Sequence, residues 1–132
     1  MRAFTLFLKW LAPIPVLVGL LHLLLGLRAD VLLGARLPGA VLADPVLDSQ
    51  NRFYGVAFMV YGALIYLCAT DLRKYAAVFG ILGGFLVLGG AGRLVSLAVQ
   101  GMPSPQVIAL AAIELLGVPL LLLWFFRVLP KA

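Results

Sequence analysis

The stretch "WLAPIPVLVGLLHLLLGL", Trp10 to Leu27, contains 18 residues without a formal charge. An α-helix rises about 1.5 Å per residue, so this stretch is long enough to cross most of a hydrocarbon layer of about 30 Å. A secretory signal peptide has a shorter apolar core that ends in an Ala-x-Ala-like cleavage site, and no such site follows here. We therefore expect a first membrane span at about residues 4–27, in which Pro13 and Pro15 are tolerated.

The composition places the chain in a membrane. Of the 132 residues, 64% are hydrophobic and 11% are charged, and the mean hydropathy is +1.16. A soluble domain has about 45–50% apolar and about 25% charged residues, and a small core cannot bury so much apolar surface. The net charge of +5 comes from dispersed basic residues, which do not indicate a nucleic-acid partner. The single Cys68 allows no intrachain disulfide, and neither a metal site nor a cofactor is predicted.

Three further stretches are long and apolar enough to cross a membrane. Together with the first, the predicted spans are residues 4–27, 53–70, 75–98 and 106–126. The short turns "DLRK" and "QGMPSPQ" favour antiparallel neighbours, whereas residues 28–52 form the one long connection. We predict a single all-α domain over residues 1–132, which is an integral membrane four-helix bundle with up-down topology.

Basic residues in the short flanks predict the orientation, because cytoplasmic flanks carry more Lys and Arg. Placing both termini in the cytoplasm puts six basic residues inside and three outside. The inside set is Arg2, Lys9, Arg73, Lys74, Arg127 and Lys131, and the outside set is Arg28, Arg36 and Arg52. We therefore predict that both termini are cytoplasmic and that the long connection faces outward.

Small residues mark helix contacts in lipid, because they let two backbones approach closely. The predicted third span is rich in glycine, and its Gly80 and Gly84 lie four residues apart. In the first span Gly19 and Gly26 lie seven residues apart, on one side of the helix. These glycines predict tight packing, either inside the monomer or in a homo-oligomer or larger membrane complex. Close approach of a ligand to the backbone is the alternative.

Polar side chains from all four spans fall in the same outer half of the predicted bundle. By the helical rise, His22 and Arg93 each lie about 7 Å from the outer end of their spans, and Glu114 lies about 12 Å from it. An ionisable group in hydrocarbon costs about 2.5–3.5 kcal/mol, so we expect Arg93 and Glu114 to face inward and to pair. The candidate ligand-binding residues are His22, Asp48, Asn51, Arg52, Tyr54, Tyr61, Arg93 and Glu114; no catalytic residue is assigned.

Each of these residues also has a purely structural interpretation. The predicted ion pair can lock two spans together, His22 can form an inter-helix hydrogen bond, and the tyrosines can pack at the interface. Asp48 or Ser49 can cap the second helix. Arg28 and Asp30, at the end of the first span, can pair with the polar residues that begin the second. None of these interpretations explains why the polar residues share one half of the bundle.

The blocks "GLLHLLLGLRADVLLGA", "DSQNRFYGVAFMVYGALIYLCATDLRKY", "GGAGRLVS" and "IELLGVPLLLLW" together resemble a bacterial family of small four-span membrane proteins, the domain of unknown function DUF4345. The resemblance covers nearly the whole chain, and "DSQNRFYG" is its most specific part. The chain is also similar in general plan to the DoxX-like four-helix membrane proteins. The resemblance implies this fold and a multi-pass location in the bacterial inner (plasma) membrane, with no established activity to transfer.

The pattern favours a binding protein or accessory subunit. An outer polar cavity beneath the long connection would accept a lipid-like or amphipathic small molecule, and pockets between bundle helices commonly hold such ligands. Membrane lipids are therefore the expected partners. One alternative is a proton-coupled small transporter, which Arg93 close to Glu114 makes less favourable. Others are an intramembrane isomerase-like enzyme that uses His22 and Glu114 as acid and base, and a structural subunit of a larger complex.

Overall fold

The computed structural model describes residues 1–129, which form helices and no strand. Four helices are long and apolar enough to cross a membrane, and we number them as spans one to four: Arg2–Leu25, Pro45–Thr70, Ala76–Gln100 and Pro105–Val128. The predicted all-α fold with four long apolar helices is confirmed. Lys131, which entered the orientation prediction, lies outside the described residues. The orientation in the membrane stays a prediction.

Spans one and two form the most extensive contact of the molecule, and glycine makes it possible. Gly19 lies directly against the backbone of Gly55, and a Cβ on Gly55 would lie 2.7 Å from the Gly19 carbonyl oxygen. Further along, a Cβ on Gly62 would lie 2.6 Å from the Ala12 carbonyl oxygen. Residue numbers rise along one helix as they fall along the other, so the two spans are antiparallel.

Spans three and four also pack through glycines, but here leucine side chains and not backbone atoms lie against them. A Cβ on Gly83 would lie 2.6 Å from the Leu122 side chain, and one on Gly90 would lie 2.8 Å from Leu115. By contrast, Gly80 and Gly84 have open space where a Cβ would be. Span three therefore packs on span four through Gly83 and Gly90, whereas Gly80 and Gly84 mark no close contact among residues 1–129.

An aromatic cluster closes the end of the bundle where the chain begins. Phe4 makes edge-to-face contacts with Phe79 and Trp124, with ring centroids 5.7 and 4.9 Å apart, and it also contacts Phe125. Phe4 and Phe125 are fully buried. The core at this end is apolar, whereas His22, Arg93 and Glu114 lie nearer the opposite ends of their spans.

The connection between spans one and two differs from the prediction. Residues 28–52 were expected to be an outer loop, but they include a short helix, Leu27–Leu32, which we call the loop helix, and a turn of helix at Gly39–Leu42. Span two then begins at Pro45, eight residues before the predicted start (53 − 45).

A different residue from the expected one caps span two. The Asp44 carboxylate accepts hydrogen bonds from the backbone N–H groups of Val46 and Leu47, at 2.8 and 3.1 Å, and Pro45 occupies the first turn, where its missing N–H costs nothing. The expectation that Asp48 or Ser49 caps this helix was therefore wrong. Both residues lie inside the helix, so their side chains are free to face other elements.

Candidate functional site

Asp48 and Arg52 form hydrogen bonds with the backbone where span one ends, around Gly26. Gly26 there has φ 57° and ψ −137°, which ends the helix and turns the chain into the loop helix. Arg52 Nη1 donates to the carbonyl oxygens of Leu23 and Leu24, at 2.8 and 3.0 Å. These carbonyls belong to the last turn of the helix, where oxygens lack partners within the helix. We call this arrangement around Gly26, together with Asp48, the Gly26 clamp.

Asp48 completes the clamp on its other side. Its Oδ2 accepts a hydrogen bond from Arg52 Nε at 2.7 Å, and its Oδ1 accepts one from the backbone N–H of Leu27 at 3.3 Å. The two side chains are four residues apart, on one face of span two. Together they cap the end of span one and the start of the loop helix, so the clamp has a structural role.

His22, Asp30 and Asn51 form a second polar group, the His22 cluster, beside the clamp. His22 Nδ1 lies 2.7 Å from the Val18 carbonyl oxygen, and Nε2 lies 3.2 Å from Asp30 Oδ1. Asn51 Nδ2 donates to Asp30 Oδ2 at 2.6 Å. Asp30 lies on the loop helix, which folds back over the end of span one. The expected pairing of Asp30 with the polar start of span two is confirmed, although Asp30 was not among the predicted binding residues.

Arg93 and Glu114 form the ion pair that the sequence predicts. Arg93 Nε donates to Glu114 Oε2 at 2.8 Å, and Nη2 donates to Oε1 at 3.2 Å. The Glu114 side chain is 12% exposed and that of Arg93 is 35% exposed. A bidentate ion pair of this kind restricts the orientation of both side chains.

Glu114 also lies on an unusual turn that the sequence analysis did not predict. Residues Ile113–Gly117 form a π-helical turn, in which the Val118 N–H bonds to the Ile113 carbonyl. Pro119 has no N–H to offer to the Leu115 carbonyl, so the regular α-helical bonding is already interrupted here. Such turns often occur at functional sites, and the proline four residues after Leu115 was the available signal.

A cavity of about 330 Å³ opens beside this ion pair. We call it the Arg93 cavity; it is lined by Gly89, Gly92, Arg93, Ser96, Pro103 and Val107. The first four of these residues are spaced for one face of span three. A Cβ at Gly89 or Gly92 would meet nothing within 4 Å, so these glycines create the space that a side chain would fill.

The predicted binding residues do not form one site. Among residues 1–129, the clamp and the His22 cluster connect span one, the loop helix and span two, while Arg93 and Glu114 connect spans three and four, and no hydrogen bond or ion pair joins the two groups. The connection between spans one and two nevertheless reaches the start of span four. A Cβ on Gly34 would lie 3.0 Å from Gln106 Nε2, the amide nitrogen of a residue in the first turn of that span.

The two tyrosines lie apart from both groups. Tyr54 and Tyr61 line an apolar cavity of about 350 Å³ between spans two and three. Tyr61 donates a hydrogen bond to the Leu82 carbonyl oxygen at 2.9 Å, and the Tyr54 side is open, with 58% of the residue exposed. The structural interpretation of Tyr61 as a packing residue fits this position.

Comparison with known proteins gives a family and nothing more specific. A family model described as Domain of unknown function (DUF4345) matches residues 3–125. No curated protein and no solved structure matches the chain. Every predicted binding residue lies within the matched segment.

Proposed function

Because the chain belongs to the family Domain of unknown function (DUF4345) and has four helices suited to cross a membrane, we propose that it is a bacterial inner-membrane protein that binds an amphipathic small molecule. The observation that carries this proposal is the Arg93 cavity. It combines about 330 Å³ of space with a partly buried guanidinium group. Arg93 and Ser96 supply the polar groups of the cavity wall, and a small number of converging polar groups is what orients a ligand in a pocket.

The charges around the cavity narrow the class of ligand. The Glu114 carboxylate already balances the charge of Arg93 through two hydrogen bonds. Arg93 Nη1 makes no hydrogen bond within residues 1–129, and the hydroxyl of Ser96 is a further polar group in the cavity wall. An electrically balanced site with N–H donors favours a neutral head group that accepts hydrogen bonds, such as an ester or ketone carbonyl. An anionic head group would also face the Glu114 carboxylate.

The two alternative activities have less support from the contacts. Proton exchange at Glu114 competes with Arg93, which engages both carboxylate oxygens. An isomerase that uses His22 and Glu114 together needs both side chains at one substrate. Their hydrogen-bond partners, however, are Asp30 in one case and Arg93 in the other.

A photoreactive long-chain fatty acid methyl ester tests the proposal on the full chain in lipid nanodiscs. We expect cross-links at the Arg93 cavity, and we expect excess unlabelled methyl ester to compete with the probe. An alkylammonium amphiphile of the same chain length has donors and no acceptor, so it should compete poorly. Mass spectrometry of the digested protein locates the cross-link.

Two matched variants decide whether the cavity is the site. Gly92→Leu places a side chain in the open space of the cavity, whereas Gly84→Leu makes the same change on the same helix outside the cavity, also in open space. Labelling should fall at least about tenfold in Gly92→Leu, because the filled cavity excludes the probe, and should be retained in Gly84→Leu. Equal labelling of the two variants would show that the ligand does not occupy this cavity.

A further inference from the structure

Both ring nitrogens of His22 face oxygen atoms, one of a backbone carbonyl and one of a carboxyl group. Nδ1 lies 2.7 Å from the Val18 carbonyl oxygen, which has no proton to give. Nδ1 must therefore carry a hydrogen. Nε2 lies 3.2 Å from Asp30 Oδ1. A neutral ring with its hydrogen on Nδ1 would direct the Nε2 lone pair at the lone pairs of an ionised carboxylate, which is repulsive.

One additional proton removes this conflict. It lies either on Nε2, which gives an imidazolium beside a carboxylate, or on Asp30 Oδ1, which then donates to a neutral ring. We propose that His22 and Asp30 form a proton-binding site that holds one exchangeable proton between Nε2 and Oδ1. This inference rests on the His22 cluster and is independent of the ligand proposed for the Arg93 cavity.

The charged groups around His22 and Asp30 are either exposed or paired with each other, so none of them competes for this proton. Three elements pack around it: span one, the loop helix and span two. The loop helix contributes Arg28, which is exposed. Span two contributes Asp48 and Arg52, which neutralise each other in the clamp, and the uncharged Asn51, which donates to Asp30 Oδ2. No second carboxylate within residues 1–129 contacts His22, so the proton has a single acidic partner.

The site has access to solvent through Asp30. The Asp30 side chain is 34% exposed, whereas that of His22 is 13% exposed. A proton that leaves Nε2 can pass to water at the exposed side of this carboxylate. Beside the pair, Asn51 Oδ1 is buried and has no hydrogen-bond donor among residues 1–129. Because the loop helix covers this end of span one, proton exchange takes place at the loop end of the bundle.

The chain offers a direct test, because His22 is its single histidine. The full-length protein is labelled with ¹⁵N-histidine, purified through a tag that contains no histidine, and placed in lipid nanodiscs. Two ring-nitrogen resonances then report the protonation of His22. At about pH 7.5 an isolated histidine, with a pKa of about 6.5, is mostly neutral. We expect the wild-type spectrum to show the additional proton on Nε2, or shared between Nε2 and Asp30.

Asp30→Asn is the decisive variant, because the asparagine amide can donate to the Nε2 lone pair and so satisfies a neutral ring. At the same pH of about 7.5, the spectrum of this variant should show the loss of the second ring proton, with a hydrogen on Nδ1 alone. Asp44→Asn makes the same change elsewhere in the connection, where asparagine still caps span two, and should leave both resonances as in the wild type. A wild-type ring that is neutral at about pH 7.5, with an unshared Nε2 lone pair, would overturn the proposal whatever the variants do.

Discussion

Replacing Gly26 with alanine tests whether the clamp stabilises the end of span one. Gly26 has φ 57° and ψ −137°, a conformation available almost only to glycine, and forcing another residue into it costs about 1–3 kcal/mol. A Cβ at this position would also collide with the Asp48 carboxylate and lie 3.1 Å from Arg52 Nη2. Moving Asp48 away breaks its hydrogen bonds with Arg52 and with the backbone N–H of Leu27, which adds a further loss. The expected loss in free energy of unfolding is therefore larger than the backbone cost of about 1–3 kcal/mol alone.

Gly101→Ala is the matched control for this measurement. Gly101 also has a positive φ, 89°, and also ends a span, but a Cβ there would meet nothing within 4 Å. Gly101→Ala should therefore lower the free energy of unfolding only by the cost of forcing alanine into a positive φ, about 1–3 kcal/mol. Reversible unfolding by SDS in mixed micelles, followed by the fluorescence of the two tryptophans, gives both values. If the two variants lose the same free energy, the contact between Gly26 and Asp48 contributes nothing and the reasoning is wrong.

The same unfolding assay checks two further contacts. Gly55→Ala should lower the free energy of unfolding by more than about 2 kcal/mol. Its Cβ would lie 2.7 Å from the Gly19 carbonyl oxygen, and neither backbone can move without separating the spans. A loss below about 0.5 kcal/mol would contradict this close packing. Glu114→Gln should cost about 1–3 kcal/mol, because it leaves the charge of Arg93 without its partner in a partly buried position. Replacing both members of that ion pair with leucine should recover much of the loss, and a double variant less stable than Glu114→Gln would show that the pair itself is strongly stabilising.

The spans and the Arg93–Glu114 pair could be predicted from the sequence because lipid imposes simple rules. A long uncharged stretch must be a helix, since every backbone group needs a partner within the segment. An arginine and a glutamate at similar depth on neighbouring helices have few other ways to reduce the cost of their charges. These rules depend on composition and spacing alone, so they need no knowledge of the tertiary contacts.

The start of span two could not be placed by the same rules. Asp48, Asn51 and Arg52 make the first turns of this helix polar, and hydropathy therefore assigns them to a loop. Their partners are the last carbonyls of span one and the loop helix, which are distant in sequence and meet them only because the chain turns back at Gly26. The local signal was present in Asp44 and Pro45, a capping residue followed by a proline suited to the first turn.

The contacts divide the polar end of the bundle into a part that builds the fold and a part that remains available to a ligand. In the clamp, Arg52 and Asp48 form hydrogen bonds with backbone groups that lose their helical partners because span one ends at Gly26. This use accounts for Asp48 and Arg52 without any ligand. Arg93 instead faces glycines with open space and keeps a free nitrogen within residues 1–129. Arg93 also holds Glu114, but an N–H group without a partner beside unfilled space indicates binding more strongly than groups whose hydrogen bonds the fold already uses. This is why the proposed ligand site lies with Arg93 and not with Asp48 and Arg52.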